Sequence, residues 1–554
     1  MGTVPAVLGA VVCLGLLAGC AIPSSGPVHH GGTQVDEIAG AVTVAEGPQP
    51  RASARGIVEG FLAAGAAGLT GDFEVARQFL DPAAAQSWQP LAAATVTAGT
   101  TTLEQTGDNQ VVATVVVVGT VDSGGRFAER SGGVETVTFD LAKVDSEWRI
   151  TDPPPGLVVT GRVFEQQYRR TPVYFLTPDR TQLVPDVRYF PTHNLATSVV
   201  KALLDGPSPW LRGAVVSAVP DGVRLRPEAV RIDEGVAQVV LEPARTVQSA
   251  PERDLMLAQV TRSLAIGPVR SVQVRAGRDG ALLTSEFAGE DVLRTPAPGL
   301  PVMLSGDALV QQSADLVPVE GVGPLTGLRA WAPAVSDDQR LKVALSGTDR
   351  LVALPTDTAA ARTLLTGQGL VRPSADRHGW AWTATSVPGA GLHAVAADGE
   401  VVDVSAPWLD DRTVRALRVS REGARVAVAS SGPDGLVVEV CGVVRDAQGA
   451  PSSLTDPVRV GPGIMVADQI VWTDPETLVV LGRAGDVTTL TRVPVSGASE
   501  VLTPVPDALA VAADRSGSTL MVATVSGGLL RHYSSTWVSI GPSGQQVRDP
   551  TYPG

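Results

Sequence analysis

Ser336-Asp337-Asp338-Gln339-Arg340 precedes the apolar Leu341, and the same succession returns four times further along the chain. Ala375-Asp376-Arg377-His378-Gly379 leads to Trp380, Ser420-Arg421-Glu422-Gly423 to Val426, Thr473-Asp474-Pro475-Glu476 to Leu478, and Asp514-Arg515-Ser516-Gly517 to Leu520. Each copy is a polar turn, rich in residues that tolerate tight backbone geometry, feeding an apolar strand. The apolar anchors are spaced by 39, 46, 52 and 42 residues. A four-stranded propeller blade takes about 40–50 residues, so residues 310–545 read as an all-β propeller with at least five blades. A strand-rich sandwich is the competing reading, because the spacing is uneven. Propellers close by bringing first and last segments into one blade. The closing candidates are Met303-Leu304 or Leu309-Val310 at one end and Trp537-Val538-Ser539-Ile540 at the other.

Outward from this repeat, the composition changes. All nine phenylalanines lie at or before Phe287, whereas six of nine tryptophans follow it. Pro296, Pro298 and Pro301 mark the junction, so the propeller is expected to fold apart from residues 51–290. Within 171–290, Val173-Tyr174-Phe175-Leu176 and Val187-Arg188-Tyr189-Phe190 read as strands. Leu195, Val199, Ala202 and Leu203 form a helical face that stops at Gly206-Pro207. Ser249 and Glu252 have capping-box spacing, with Pro251 in the first helical turn. These segments, with Leu203-Leu204-Asp205-Gly206-Pro207 and Ala218-Val219-Pro220-Asp221-Gly222, resemble the GerMN domain of spore-germination and envelope proteins. The resemblance implies an α+β binding module with no established catalytic residues.

Residues 51–160 read as helices followed by strands. Ile57, Val58, Phe61, Leu62 and Leu69 recur at helical spacing. A second helix capped by Asp72 carries Phe73, Ala76, Phe79 and Leu80 and is expected to stop at Asp81-Pro82. Strand-like runs cover 111–118, 134–141 and 148–150. Helices before a curved antiparallel sheet resemble a nuclear-transport-factor-like cone.

Residues 4–18 form a largely apolar run, too short for the roughly twenty residues of a membrane span but suited to a secretory signal. It ends in Leu17-Ala18-Gly19-Cys20, which resembles the bacterial lipobox. That resemblance implies cleavage of residues 1–19 between Gly19 and Cys20, with acyl chains (palmitate-type) on Cys20. Residues 20–50 hold Pro23, Ser24, Ser25, Gly26, Pro27, His29 and His30, and read as a tether with too little apolar surface to fold. Cys13 leaves with the signal and Cys20 carries lipid, so Cys441 is left as a buried small residue and no intrachain disulfide forms.

Chemistry is sparse. The 554 residues carry 43 basic and 57 acidic side chains, a net charge of −14 that argues against nucleic-acid binding. No HExxH, GxSxG or P-loop is present. Ser198-Val199-Val200-Lys201 matches the SxxK of penicillin-binding enzymes but has no KTG partner, and is read as a coincidence on a helix surface. His29, His30, His193, His378, His393 and His532 are scattered, and Asp337-Asp338 and Asp410-Asp411 read as solvated turn acids. Neither a metal nor a cofactor is expected.

The order of lipobox, tether, α+β region, GerMN-like domain and propeller resembles the LpqB family of actinobacterial lipoproteins over essentially the whole chain. That resemblance implies a non-enzymatic protein anchored on the extracytoplasmic face of the cell membrane. Its implied partner is the extracytoplasmic domain of an MtrB-type sensor histidine kinase, in cell-envelope and division signalling. The rival expectations are a cell-wall assembly scaffold and an envelope hydrolase with its site in the propeller.

Overall fold

A computed structural model describes residues 45–68, 73–243, 249–277, 280–284, 299–313, 315–389, 391–485, 487–514, 519–540 and 546–554. The lipobox with Gly19 and Cys20, His29, His30, Leu69, Asp72, Phe287, Pro296, Pro298 and Arg515-Ser516-Gly517 lie outside the described residues.

Ser53 opens the first helix, Ala54–Ala67, its hydroxyl accepting the Gly56 N–H at 3.1 Å. Ile57, Val58 and Phe61 face inward from it and are buried. Asp81-Pro82 does not stop a helix, as expected, but starts one. The Asp81 carboxylate accepts the Ala84 N–H at 2.7 Å, and Pro82 fills a first-turn position of Pro82–Ser87. A five-stranded sheet follows in the order 147–152, 127–144, 110–121, 94–105, 157–160, and only the last pair is parallel. Gln110–Val121 buries alternate residues, with Val111, Ala113, Val115 and Val117 on the inner face. Phe61 packs against Trp88 and Phe139 with ring centroids 5.0 and 6.1 Å apart.

The middle domain begins with the hairpin Tyr168–Leu176/Leu183–Pro191. Val236–Glu242 and Ser271–Ala276 pair in parallel, which requires a crossover; Ala250–Ser263 supplies it. Ser249 caps that helix through the Glu252 N–H at 3.4 Å, and their side chains are joined at 2.8 Å. The Leu195–Asp205 helix ends at Gly206 with φ +88°. The turn beyond is held by buried Asp186, which accepts the N–H and hydroxyl of Ser208 at 2.8 and 2.9 Å.

Among the described residues the propeller has six blades, each a sheet of at least four strands. Blades 2 to 6 start with inner strands Ala330–Val335, Ser374–Ala375, Thr413–Val419, Gln469–Asp474 and Ala508–Ala513. In blades 2 to 5 the polar turn picked out in sequence joins the inner strand to the second strand. Blade 1 is built from both ends: inner strand Arg548–Thr551 pairs with Val302–Ser305, followed outward by Ala308–Gln312 and Leu316–Pro318. The sheets therefore span 302–551 rather than 310–545. Val302–Ser305 closes the ring as expected, but Trp537 does not: Thr536–Ser539 is the outer strand of blade 6. The closing strand is instead Arg548-Asp549-Pro550-Thr551, a stretch with no strand-like apolar run. Inner positions are small, with Ala332, Ala334, Ala375, Ala416, Ala510 and Ala512 at most 3 % exposed, so the inner strands converge closely.

Residues 45–554 pack as one body. The middle domain and propeller are not independent, because one buried apolar cluster joins Val173, Phe175, Trp210, Leu211 and Met256 to Ala424, Val440, Trp472 and Val493 of blades 4 and 5. The core of the N-terminal domain is separate, running from Ala54 to Tyr168.

Candidate functional site

Strand direction decides what each end of the propeller offers. In blades 2 to 5 the turns between inner and second strands lie at one end, and those of blades 3 and 5 bond to the other domains. Arg377 of blade 3 binds Asp179 with both terminal nitrogens, at 2.9 and 2.8 Å. Glu476 of blade 5 pairs with Arg170, whose Nε also donates to the Ser496 carbonyl at 2.9 Å. Ser499 donates its N–H and hydroxyl to the Glu129 carboxylate at 2.8 and 2.6 Å, tying blade 5 to the N-terminal sheet. In blade 4, the Trp210 carbonyl accepts the Thr455 hydroxyl.

At this end the central channel is closed. Between Arg418, Gln469, Trp472, Ala512 and Tyr552 it retains about 10 Å³, room for one water at most. Residues 551–554 fill it: Arg418 donates to the carbonyls of Tyr552 and Gly554 at 3.4 and 3.1 Å, and the Gly554 N–H reaches the Val335 carbonyl at 2.9 Å.

Among the described residues, the other domains do not cover the far end. Met465, Val487 and Val525 lie at this end of blades 5 and 6, with 80, 63 and 67 % of their surface exposed. Between blades 3 and 4 a pocket of about 260 Å³ is walled by Leu392, Val404, Pro407 and Leu409, with Asp410 and Arg412 at its edge. Asp410 and Asp411 are exposed here.

A groove of about 1040 Å³ separates the N-terminal and middle domains. Its floor is a clasp in which the Tyr189 N–H donates to the Gly125 carbonyl at 2.6 Å. Gly125 has φ +83°, and a Cβ there would sit 2.7 Å from the Tyr189 carbonyl oxygen, so only glycine permits this approach. Trp88, Tyr168 and Phe190 line one part of the groove and the Leu195–Asp205 helix another. Ser198 and Lys201 both lie on that wall, so the SxxK pair faces a cleft rather than a featureless helix surface. Neither side chain has a hydrogen-bond partner among the described residues, so no base is poised on the hydroxyl.

The described histidines do not converge. His193 lines the groove, and His378 sits at the Arg377 clasp. His393 Nδ1 pairs with Asp403 at 2.7 Å, and His532 packs against Trp537 with ring centroids 4.8 Å apart and the planes tilted by 59°. Among the described residues no three His, Cys, Asp or Glu side chains come together to hold a metal ion. Asp338 is occupied within its own turn. Although burial pushes its carboxyl up, hydrogen bonds from the Ser336 hydroxyl and Arg340 N–H hold it below the ordinary range. Cys441 is fully buried in blade 4, and burial pushes its thiol up, away from the reactive thiolate.

Sequence reasoning missed the interdomain contacts, whose partners are separated by up to 370 positions. The only local hint was the repeated polar turn.

Family models match three stretches of the chain. Residues 47–165 match "Lipoprotein LpqB, N-terminal domain", 172–280 match "Sporulation and spore germination", and 307–553 match "Lipoprotein LpqB beta-propeller domain". Lipoprotein LpqB of Streptomyces coelicolor is 29 % identical over 542 residues, covering 87 % of each chain. The Bifidobacterium longum relative of the same name is 26 % identical, covering 82 % of this chain and 81 % of its own. The Thermobifida fusca relative is 27 % identical over 84 and 86 %.

Proposed function

Because this chain belongs to the LpqB family of lipoproteins, we propose that it is anchored through acyl chains on Cys20, after cleavage behind Gly19, at the extracytoplasmic face of the cell membrane. There it acts without chemistry of its own, binding the extracytoplasmic domain of an MtrB-type sensor kinase and shifting the kinase between conformations. The anchor confines both proteins to one thin layer and raises their effective concentration. The observation that carries this reading is the uncovered propeller end, where Met465, Val487 and Val525 stand exposed on adjacent blades. Exposed apolar groups gathered on one face favour association. The channel, the natural place for a propeller enzyme's substrate, is filled by the chain itself at its other end.

Full-length protein and the kinase's extracytoplasmic domain decide this in a binding titration. Met465→Glu with Val525→Glu should weaken binding at least about tenfold, while Lys201→Ala in the groove leaves it unchanged. No binding at all, or binding indifferent to the two glutamates, overturns the reading. The groove carrying Ser198 and Lys201 keeps a hydrolase as the second reading, tested below.

A further inference from the structure

The clasp joining the middle domain to blade 3 is built around a histidine whose protonation state its geometry fixes. Arg377 Nη1 lies 3.3 Å from His378 Nε2. A guanidinium only donates, so Nε2 must accept and the ring must be neutral there. The same Arg377 holds Asp179 and the Thr181 hydroxyl, the latter at 2.7 Å. We propose that protonation of His378 releases Arg377 from Asp179 and loosens the middle domain from the propeller, making this junction acid-responsive.

The surroundings leave the added charge poorly compensated. From its own turn the ring faces Arg377 and Asp376, from the middle domain Asp179, and from blade 4 Arg445, Glu422 and Asp446. Asp376 is already committed, accepting the N–H groups of His378 and Trp380, the Trp382 indole and Arg445, at 2.7–3.0 Å. Glu422 is bound to Ser420 and Arg425, and Asp446 accepts the N–H groups of Gln448 and Ala450. A protonated Nε2 would place an N–H against the Arg377 N–H, between two arginines. Protons reach the site through an open cavity of about 300 Å³ lined by Asp179, His378, Glu422 and Arg445.

Burial first, and then Arg445 and Arg377 against the opposing pull of Asp376 and Asp179, bring the ring's pKa down to about 4. The closed clasp thus binds fewer protons than the open one, and its stability falls as pH drops below about 6.5 towards 4. Asp179 plays no part in that window. Burial pushes its carboxyl up, but hydrogen bonds from Arg377, Thr177 and Thr181 hold it well below the usual carboxylate range, so it stays ionised.

The test is amide hydrogen exchange of residues 177–182 in the full-length chain at pH 7.5 and pH 5, corrected for intrinsic exchange. A ring titrating near 4 when clasped and near 6.5 when free weakens closure by up to about thirty-fold at pH 5. Protection should fall accordingly in the wild type, stay level in His378→Gln, and be low at both pH values in His378→Lys. The other histidines are unchanged in His378→Gln, which isolates the effect. Equal wild-type protection at both pH values, or the same fall in His378→Gln, overturns the proposal. If His378→Lys fails to fold, the other two proteins still decide it.

Discussion

Removing residues 548–554 should open the propeller. These residues supply the inner strand of blade 1, pairing Arg548 with Leu304 and Thr551 with Val302. Tyr552, 6 % exposed, packs in a cluster with Met303, Ala510 and Met521. Asp549 is buried and pairs with Arg372 at 2.7 Å. Burial of a side chain such as Tyr552 contributes about 2 kcal/mol. Lost backbone hydrogen bonds cost about 1 kcal/mol each, and losing a buried carboxylate partner adds to that. The loss is on the order of 5 kcal/mol or more, comparable with the whole stability of many domains. Six of the nine tryptophans are in the propeller, including fully buried Trp382, so emission should shift red and the denaturation midpoint should fall. Limited proteolysis should leave the N-terminal domain protected, because its core is its own, while the middle domain becomes susceptible through the core it shares with blades 4 and 5. By contrast Trp537→Ala, on an outer strand, should cost little. A truncated chain with native emission and a protected propeller, or a Trp537→Ala chain equally damaged, would refute the closure described here.

Cys20→Ala should abolish lipid labelling and leave unprocessed or released protein; normal labelling and membrane retention in that variant would remove the anchor. Ser198→Ala and Lys201→Ala should complement fully, whereas failure of either as a normally folded protein would revive the hydrolase reading for the groove. Asp376→Asn leaves Arg445, 5 % exposed, without its countercharge and should destabilise the chain by about 3–5 kcal/mol, read as a lowered melting temperature. A melting curve unchanged by Asp376→Asn would mean that water reaches this pair.

The propeller was legible in sequence because a hairpin turn must use residues that bend tightly and satisfy their own backbone. Asp376, Ser420 and Asp338 do so wherever an inner strand runs straight into the next. Blade 1 escaped the count for the same reason: its inner strand and second strand come from opposite ends of the chain, so no turn joins them. The Ser249–Glu252 box was equally readable, being local. Asp81-Pro82 misled because the pair that ends one helix also suits the start of another. Nothing local marks Arg170, Asp179 or Glu129 as interdomain ligands, since charged side chains on turns and strands look alike whether they meet water or a partner. The groove was illegible too, as its walls come from two domains and its floor depends on one glycine.

The closing strand also governs the timetable of biosynthesis. The partners in blade 1 are about 250 positions apart, a loop whose closure entropy delays any pairing between them. Chains are made from the N-terminus, so the first two domains and most blades exist before the ring can shut. Until residues 548–551 arrive, Val302–Ser305 presents a bare strand edge, the kind of surface that recruits other chains. The middle domain, already seated on blades 4 and 5, is a ready-made template that holds the incomplete ring in shape while it waits. A nascent chain stalled short of residue 548 is therefore the form most exposed to aggregation.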